Sequence, residues 1–268
     1  MKKQLYRTLM ELTKNPLQSW GIKTFARSRA SKPLVRSFTK VYNINLDESA
    51  RNLEDFENLQ SLFIRKLDPS ARTVDPATKS IVSPVDGTLS EVGEIQSDAT
   101  FTIKGQTYDV SELVGLEKTS ARYLGGTYML FYLSPTDYHR IHSPVNGRIR
   151  KTWALGKHSS PVNPLGLALG DRVLAKNYRL LTEMKTKQDK CVCIVKIGAL
   201  NVNSIHTSTA LENEHLDKGE ELAYFSFGSS VILLFEKGSI ELNSSSRADG
   251  KVQHGSPIGK IPESLMKN

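Results

Sequence analysis

Apolar residues follow two regimes along this chain, helical spacing before about residue 70 and strand spacing after about residue 80. Leu5, Leu9 and Leu12 recur at threes and fours, with Tyr6 and Met10 beside them and basic residues elsewhere. Pro16 interrupts, and a second segment carries Trp20, Ile22 and Phe25. A third follows Pro33, with Val35, Phe38 and Tyr42. Residues 46–66 repeat Leu53, Phe56, Leu59, Leu62 and Phe63 at helical spacing, with Asp47, Glu54 and Glu57 as early acids; Pro69 ends the stretch. From residue 80 the period shortens. Candidate strands are 80–93, 99–104, 127–134, 147–155, 172–184, 190–198, 202–208, 221–227, 230–236 and 251–253, many separated by Gly, Pro, Asn or Asp. The pattern predicts an α+β fold, a mainly antiparallel β body carrying N-terminal amphipathic helices. No flexible linker or low-complexity tract divides it.

At 268 residues the chain can bury a full core as one domain or two. No stretch approaches the roughly 18 to 20 apolar residues of a membrane-spanning helix. The basic N-terminus is followed by no apolar core of signal-peptide length, so export is not expected. Cys191 and Cys193 lie two apart in an apolar run. On a strand they share a face and do not bridge, so they read as small core residues of a reducing compartment.

Charge changes the picture of the N-terminus. Residues 1–40 hold ten Lys/Arg and one acid, Glu11, which is more positive charge than the whole chain's net +8. The high pI therefore belongs to an arm and not to the body. That argues against a nucleic-acid reader built on the main domain and for an arm that meets an anionic surface. Helices packed on the body with a solvated basic side are the competing reading. The division expected is an arm of residues 1–44 and a body of residues 45–268.

Three polar spots interrupt the strand-like half. Ser83-Pro84-Val85-Asp86-Gly87 recurs 60 residues later as Ser143-Pro144-Val145-Asn146-Gly147. Pro followed by Asx-Gly is turn chemistry, so two similar hairpins are expected. Asn146 fills the slot of Asp86, so a turn alone does not demand a carboxylate there. Before the second copy stand His139 and His142. On a strand they point to opposite faces; on one helical turn they converge. A metal reading lacks partners, with no second spaced His/Cys pair and no His-Glu-x-x-His. The third spot is Gly228-Ser229-Ser230, ahead of Val231-Ile232-Leu233-Leu234-Phe235. A serine, imidazoles and a carboxylate form the inventory of a base-activated nucleophile. Set on a strained peptide, Ser229 Oγ could attack the Gly228 carbonyl, turning amide into ester and opening a route to chain cleavage and a pyruvoyl end. A plain Gly-Ser turn is the bland alternative.

Together these blocks resemble the phosphatidylserine decarboxylase family of pyruvoyl-dependent lipid enzymes, through most of the chain. The resemblance runs through Phe63-x-Arg65-x-Leu67 with Ala71-Arg72, the Ser83 turn, and Asp137-Tyr138-His139-Arg140-Ile141-His142-x-Pro144-x-x-Gly147. It continues through Val162-Asn163-Pro164, Leu174-Ala175-x-Asn177, Gly198-Ala199, Lys218-Gly219-Glu220-Glu221 and Phe227-Gly228-Ser229-Ser230-Val231-Ile232. The family's cleavage motif is usually Leu-Gly-Ser-Thr, and Phe227 and Ser230 depart from it. The loop His158-Ser159-Ser160-Pro161-Val162-Asn163 departs where the family often has an aromatic.

The resemblance implies a proenzyme cut at Gly228-Ser229 into a β chain of residues 1–228 and an α chain of residues 229–268. It implies Asp86, His142 and Ser229 as orienting acid, general base and nucleophile of the cut. Ser229 would become a covalent pyruvoyl group that forms a Schiff base with phosphatidylserine and releases CO2, giving phosphatidylethanolamine. His139 would assist decarboxylation or reprotonate the carbanion. No metal or nucleic acid is implied. The expected partners are the lipid substrate, an anionic membrane surface and the chain's own two fragments, with homo-oligomerisation left open. The expected location is the cytoplasmic face of the cell membrane, as a peripheral protein. Two other readings remain: a pyruvoyl decarboxylase acting on another amine, and a non-enzymatic membrane-surface protein that keeps the fold unprocessed.

Overall fold

The computed structural model describes residues 16–199, 205–209, 213–226, 229–244 and 246–266. Its fold is α+β, and every ladder among the described strands is antiparallel. Helices α1 (Pro16–Arg27), α2 (Lys32–Tyr42) and α3 (Leu59–Phe63) come first. Strands β1 (Ser80–Val82), β2 (Gly87–Glu94), β3 (Thr100–Ile103), β4 (Gln106–Asp109) and β5 (Thr127–Leu133) follow. Next are β6 (Arg140–His142), β7 (Gly147–Leu155), β8 (Arg179–Lys185), β9 (Cys191–Gly198) and β10 (Ile205–Thr207). The chain closes with β11 (His215–Leu216), β12 (Glu221–Phe225), β13 (Ser229–Phe235), β14 (Glu241–Leu242), β15 (Gly250–Val252) and β16 (Pro257–Lys260).

An eight-stranded sheet in the order β11-β7-β8-β9-β13-β5-β2-β15 is the backbone of the molecule. Its central strands are apolar on both faces because both faces are covered. Cys193, Val195, Ile197, Ile232 and Leu234 enter one layer, beneath the β3–β4 hairpin and the short helix Val110–Val114. Val192, Ile194, Val231, Leu233 and Phe235 enter the other. That second layer is closed by two small sheets, β1-β16-β14 and β10-β12-β6. Each fully buried Val, Leu or Phe stabilises by roughly 1.5–3 kcal/mol. Side chains alternate along β13, so Ser229 shares the face of Val231 and looks into the second layer. The two cysteines share the first layer as free, buried thiols.

The N-terminal helices form a satellite core. Val35 and Phe38 of α2 pack with Ile44, Phe56 and Leu62, so the cluster crosses position 44. The first helical stretch, with Leu5, Leu9 and Leu12, lies outside the described residues. No helix among the described residues is long and apolar enough to cross a membrane.

Three local expectations fail for clear reasons. The two Ser-Pro-Val-Asx-Gly turns do not close hairpins, because the strands on either side of each turn go to different sheets, β1 to β16 and β2 to β5, β6 to β12 and β7 to β8. Residues 46–66 are not one helix. The Asp55 side chain accepts the Asn52 amide and holds only the turn Leu53–Asp55, and Asn58 caps a fresh helix, α3, with its side chain accepting the Ser61 amide. Residues 172–184 are not one strand. Arg172 takes left-handed backbone and Val173–Lys176 is a helical turn before β8; four apolar-rich residues do not reveal their period.

Candidate active site

The two Ser-Pro-Val-Asx-Gly segments meet as a pseudo-two-fold pair. The Ser83 hydroxyl donates to the Val85 carbonyl and the Ser143 hydroxyl to the Val145 carbonyl, both at 2.7 Å. The turns also bond each other: the His142 amide donates to Pro84 O (2.8 Å) and the Val82 amide to Pro144 O (3.0 Å). Each is closed by a distant second segment. Ser83 exchanges backbone bonds with Ser256 and Gly255, and Ser143 does so with Glu220 and Gly219. Gly255 and Gly219 hold φ of +84° and +86°, where a Cβ would strike Thr73 O and Val74. The Asx oxygens complete the match. Asp86 Oδ1 accepts the His254 amide and Asn146 Oδ1 accepts the Lys218 amide, both at 2.8 Å. The repeat thus extends beyond the five residues visible in the sequence, to paired segments around 218 and 254.

The copies differ where chemistry is carried. Asp86 is held by Arg72 through Nη2 at 2.6 Å and Nε at 3.1 Å, and Arg72 also reaches Glu48 at 2.8 Å. Hydrogen bonding from Arg72 holds the Glu48 carboxyl below its usual range. A cavity of about 280 Å³ opens beside this pair, lined in part by Glu48, Arg65, Arg72, Asp86, Tyr138 and Lys251.

His142 is fixed from two sides. Its Nδ1 lies 2.9 Å from the Gly219 carbonyl and its Nε2 lies 3.2 Å from the Tyr138 hydroxyl. A carbonyl only accepts, so Nδ1 carries the proton and Nε2 is the basic nitrogen, receiving the tyrosine's hydrogen. The ring stacks on His254 with centroids 3.9 Å apart and planes 12° from parallel. Burial lowers the His142 pKa, with the Gly219 hydrogen bond opposing.

His139 is placed differently. His142 ends a strand and His139 precedes it, so the single turn that would hold both imidazoles is not formed. The His139 ring is fully buried against Phe63 of α3, centroids 3.8 Å apart. Its Nδ1 donates to the Asp137 carbonyl at 2.8 Å, which leaves Nε2 basic and without a hydrogen-bond partner among the described residues. Burial pushes its pKa down to about 4, so the ring stays neutral. Arg140, between the two histidines, ties the block to α3 through Ile64 O (2.9 Å) and to β12 through Glu221 (2.6 Å).

Ser229 opens β13, paired with Leu133 of β5 and Gly198 of β9. Its Oγ is fully buried and has no hydrogen-bond partner among the described residues. Gly228 lies outside the described residues. Gly87, next to Asp86, packs on the Tyr132–Leu133 backbone, so Asp86 and Ser229 stand at the same end of the large sheet, on opposite sides of β5. Asp86 and His142 meet through His254, which bonds one and stacks on the other; Ser229 Oγ bonds to none of them. Sequence reasoning missed Arg72 as the partner of Asp86, and Tyr138, Gly219 and His254 around His142. Tyr138 and Gly219 stood in blocks already singled out. His254 had no signal except its place after an Asx-holding turn, which only the folded repeat reveals.

Comparison with known proteins bears on this arrangement. The phosphatidylserine decarboxylase family model matches residues 59–260. The chain is 49% identical over 259 residues to a phosphatidylserine decarboxylase proenzyme of Halalkalibacterium halodurans, covering 97% of this chain and 98% of that one. It is 48% identical over 261 residues to the proenzyme of that name from a Geobacillus species, covering 97% and 100%. Against the Bacillus anthracis proenzyme the figures are 43% over 258 residues, covering 96% and 97%.

Proposed function

The chain belongs to the phosphatidylserine decarboxylase family, and on that premise we propose that it is a self-processing phosphatidylserine decarboxylase, cut between Gly228 and Ser229. The observation that carries this reading is the Ser229 hydroxyl. A buried hydroxyl normally finds a partner, and this one has none among the described residues. It is left free for the carbonyl on its N-terminal side.

Ser229 Oγ attacks the Gly228 carbonyl carbon while His142 Nε2 takes the hydroxyl proton. The peptide C–N bond breaks as the acyl group moves to oxygen, and the proton passes on to the freed amine. Loss of the Ser229 α-proton then expels the Gly228 carboxylate and severs the chain. The dehydroalanine left at residue 229 takes up water and releases ammonia, leaving a ketone. The Tyr138 hydroxyl occupies Nε2 at 3.2 Å, so it must let go of that nitrogen before the base can take the serine proton.

The buried, uncommitted position of residue 229 suits a pyruvoyl group, which supplies an electron sink for a substrate amine losing CO2. His139 presents a neutral Nε2 in the same water-poor environment, fit to hold a proton and return it to the substrate carbon. Asp86, clamped by Arg72, supplies negative charge near His142 and orients it through its surroundings. Phosphatidylserine, with its primary amine and anionic head group, is the substrate. The basic arm, with Lys23, Arg27 and Arg29 and the exposed Phe25 on or beside α1, holds the enzyme on the anionic cytoplasmic face of the membrane.

Intact mass tests the reading. Wild-type protein should give fragments of residues 1–228 and 229–268, and a ketone reagent should label only the smaller. Ser229→Ala should stay whole and unlabelled. A wild-type chain that remains whole yet decarboxylates the lipid rules the reading out.

A further inference from the structure

The pseudo-two-fold pair contains its own control. In both copies an Asx oxygen accepts a backbone amide at 2.8 Å. The second copy does this with Asn146 and Lys218, whose side chain runs out to the Ala77 carbonyl at 2.7 Å. The first copy has Asp86 and His254. Neither the carboxylate nor the imidazole is required by the turn, because the twin forms without them. His254 is also an expensive residue to bury. It is nearly inaccessible, and its Nδ1 has no hydrogen-bond partner among the described residues. Its ring lies flat on His142 and within 5.9 Å of Tyr138.

We propose that His254 is a positioning residue of the self-cleavage machinery, an uncharged ring that lids His142 and keeps it in its base form while its own amide fixes Asp86. This rests on the reading that His142 is the base of the cut. Two stacked imidazoles 3.9 Å apart resist sharing two positive charges. His254 has Arg72 nearby as well, and it cannot be the protonated one, since its buried Nδ1 has no acceptor. Burial, then His142 and Arg72, hold it at about 3. The other groups facing His142 are Asp86 and Glu221, which favour its cation, and Arg140, which opposes it. With the Gly219 carbonyl these partners lean toward the cation, and burial outweighs them; the His254 ring supplies part of that burial. His254 lies on the C-terminal side of the cut, and Asp86 and His142 on the other, so the stack also joins the two fragments at the site.

The test is the ratio of self-cleavage rates at pH 6 and pH 8 within each variant, which cancels any general loss of rate. Wild type should cleave about equally at both. His254→Phe keeps a neutral ring and should do the same. His254→Ala admits water onto His142 and moves it toward the ordinary imidazole range, so cleavage at pH 6 should fall below that at pH 8, by up to about fourfold for a fully relaxed ring. His254→Gln replaces alanine if alanine does not fold. In the uncut Ser229→Ala chain, the His142 ring resonance should titrate higher when His254 is removed, a readout that needs no cleavage. Equal ratios and an unmoved titration overturn the proposal. A His142→Ala chain that cleaves normally overturns instead the assignment of His142 as base.

Discussion

Lys196 is buried completely in β9, on the face of Val192 and Ile194, and its Nζ is held by one hydroxyl, Thr182 Oγ1 at 2.7 Å. No carboxylate pairs with it among the described residues. Burial pushes its pKa down from 10.5 to about 7. The unfolded chain keeps that proton up to about 10.5, whereas the folded chain loses it above about 7. Between those values the unfolded state binds more protons, so stability rises with pH. Below pH 7 the full penalty of a buried ammonium applies. At 1.36 kcal/mol for each pH unit between the two pKa values, it is on the order of 5 kcal/mol.

Lys196→Met removes the charge and keeps the reach of the side chain. Thr182 loses one partner but keeps Thr152, 3.2 Å away. Setting about 1 kcal/mol against imperfect packing, methionine should stabilise by about 4 kcal/mol at pH 6 and about 1 kcal/mol at pH 9. Denaturant midpoints of the variant and its parent, both carrying Ser229→Ala so that one whole chain unfolds, should be compared from pH 6 to pH 9. Other titrating groups are common to both and cancel in the difference; burial raises the neighbouring Cys193 thiol, which stays protonated throughout. A stability difference that does not change with pH, or a methionine variant weaker than its parent at pH 6, refutes the reasoning.

Further outcomes are expected. Asp86→Asn should keep its turn, since Asn146 builds the same one, yet slow self-cleavage at least tenfold by gel assay, because the charge is gone and Arg72 retains only Glu48. His139→Ala should still yield both fragments while CO2 release falls by about 10² or more, the usual share of a positioned proton donor; normal turnover in that variant removes His139 from the mechanism. Acidification from pH 6.5 toward 4 should destabilise the uncut chain, because His139 and His254, held at about 4 and about 3, stay neutral when folded and take protons when unfolded; denaturation midpoints in that range measure it. Replacing Lys23, Arg27 and Arg29 with glutamine should weaken sedimentation with anionic vesicles by roughly a hundredfold at low salt, at about 1 kcal/mol per charge, and the gap should narrow as salt rises.

The fold class was legible because the change from helical to strand spacing is long and sustained. Single elements were less so. The stretch 46–66 has a helical apolar rhythm, but Asn52 and Asn58 cut it into capped pieces, and caps act through local hydrogen bonds that periodicity does not register. The site residues were legible as types. Their partners were not, because Arg72, Gly219 and His254 reach Asp86 and His142 from segments 14, 77 and 168 residues away, and no spacing rule spans such loops. The short repeat was visible at 83 and 143, but its other half, around 218 and 254, shares backbone geometry and not side chains.

That half-hidden duplication shows how a turn can become a site. A Ser-Pro-Val-Asx-Gly corner needs an Asx oxygen, a serine hydroxyl and a glycine at positive φ on the segment facing it. Both corners meet those needs, and they lead into opposite ends of the large sheet, Gly87 against Leu133 and Gly147 against Lys185. What distinguishes the first is electrostatic. A carboxylate replaces the amide, a buried arginine clamps it, and an imidazole stands where the twin has an outward lysine. The second corner contributes backbone instead, since the Gly219 carbonyl that closes it also fixes the His142 tautomer. Cleavage chemistry therefore draws on both corners at once, one for charge and one for orientation. Gly219→Ala should then do more than strain a turn at φ +86°: by moving that carbonyl it should release Nδ1 and uncouple His142 from the base role, while the equivalent Gly255→Ala strains the other corner and leaves the tautomer set. Comparing cleavage rates of the two at matched stability separates orientation from folding, and equal rates would mean that the Gly219 carbonyl does not set the base.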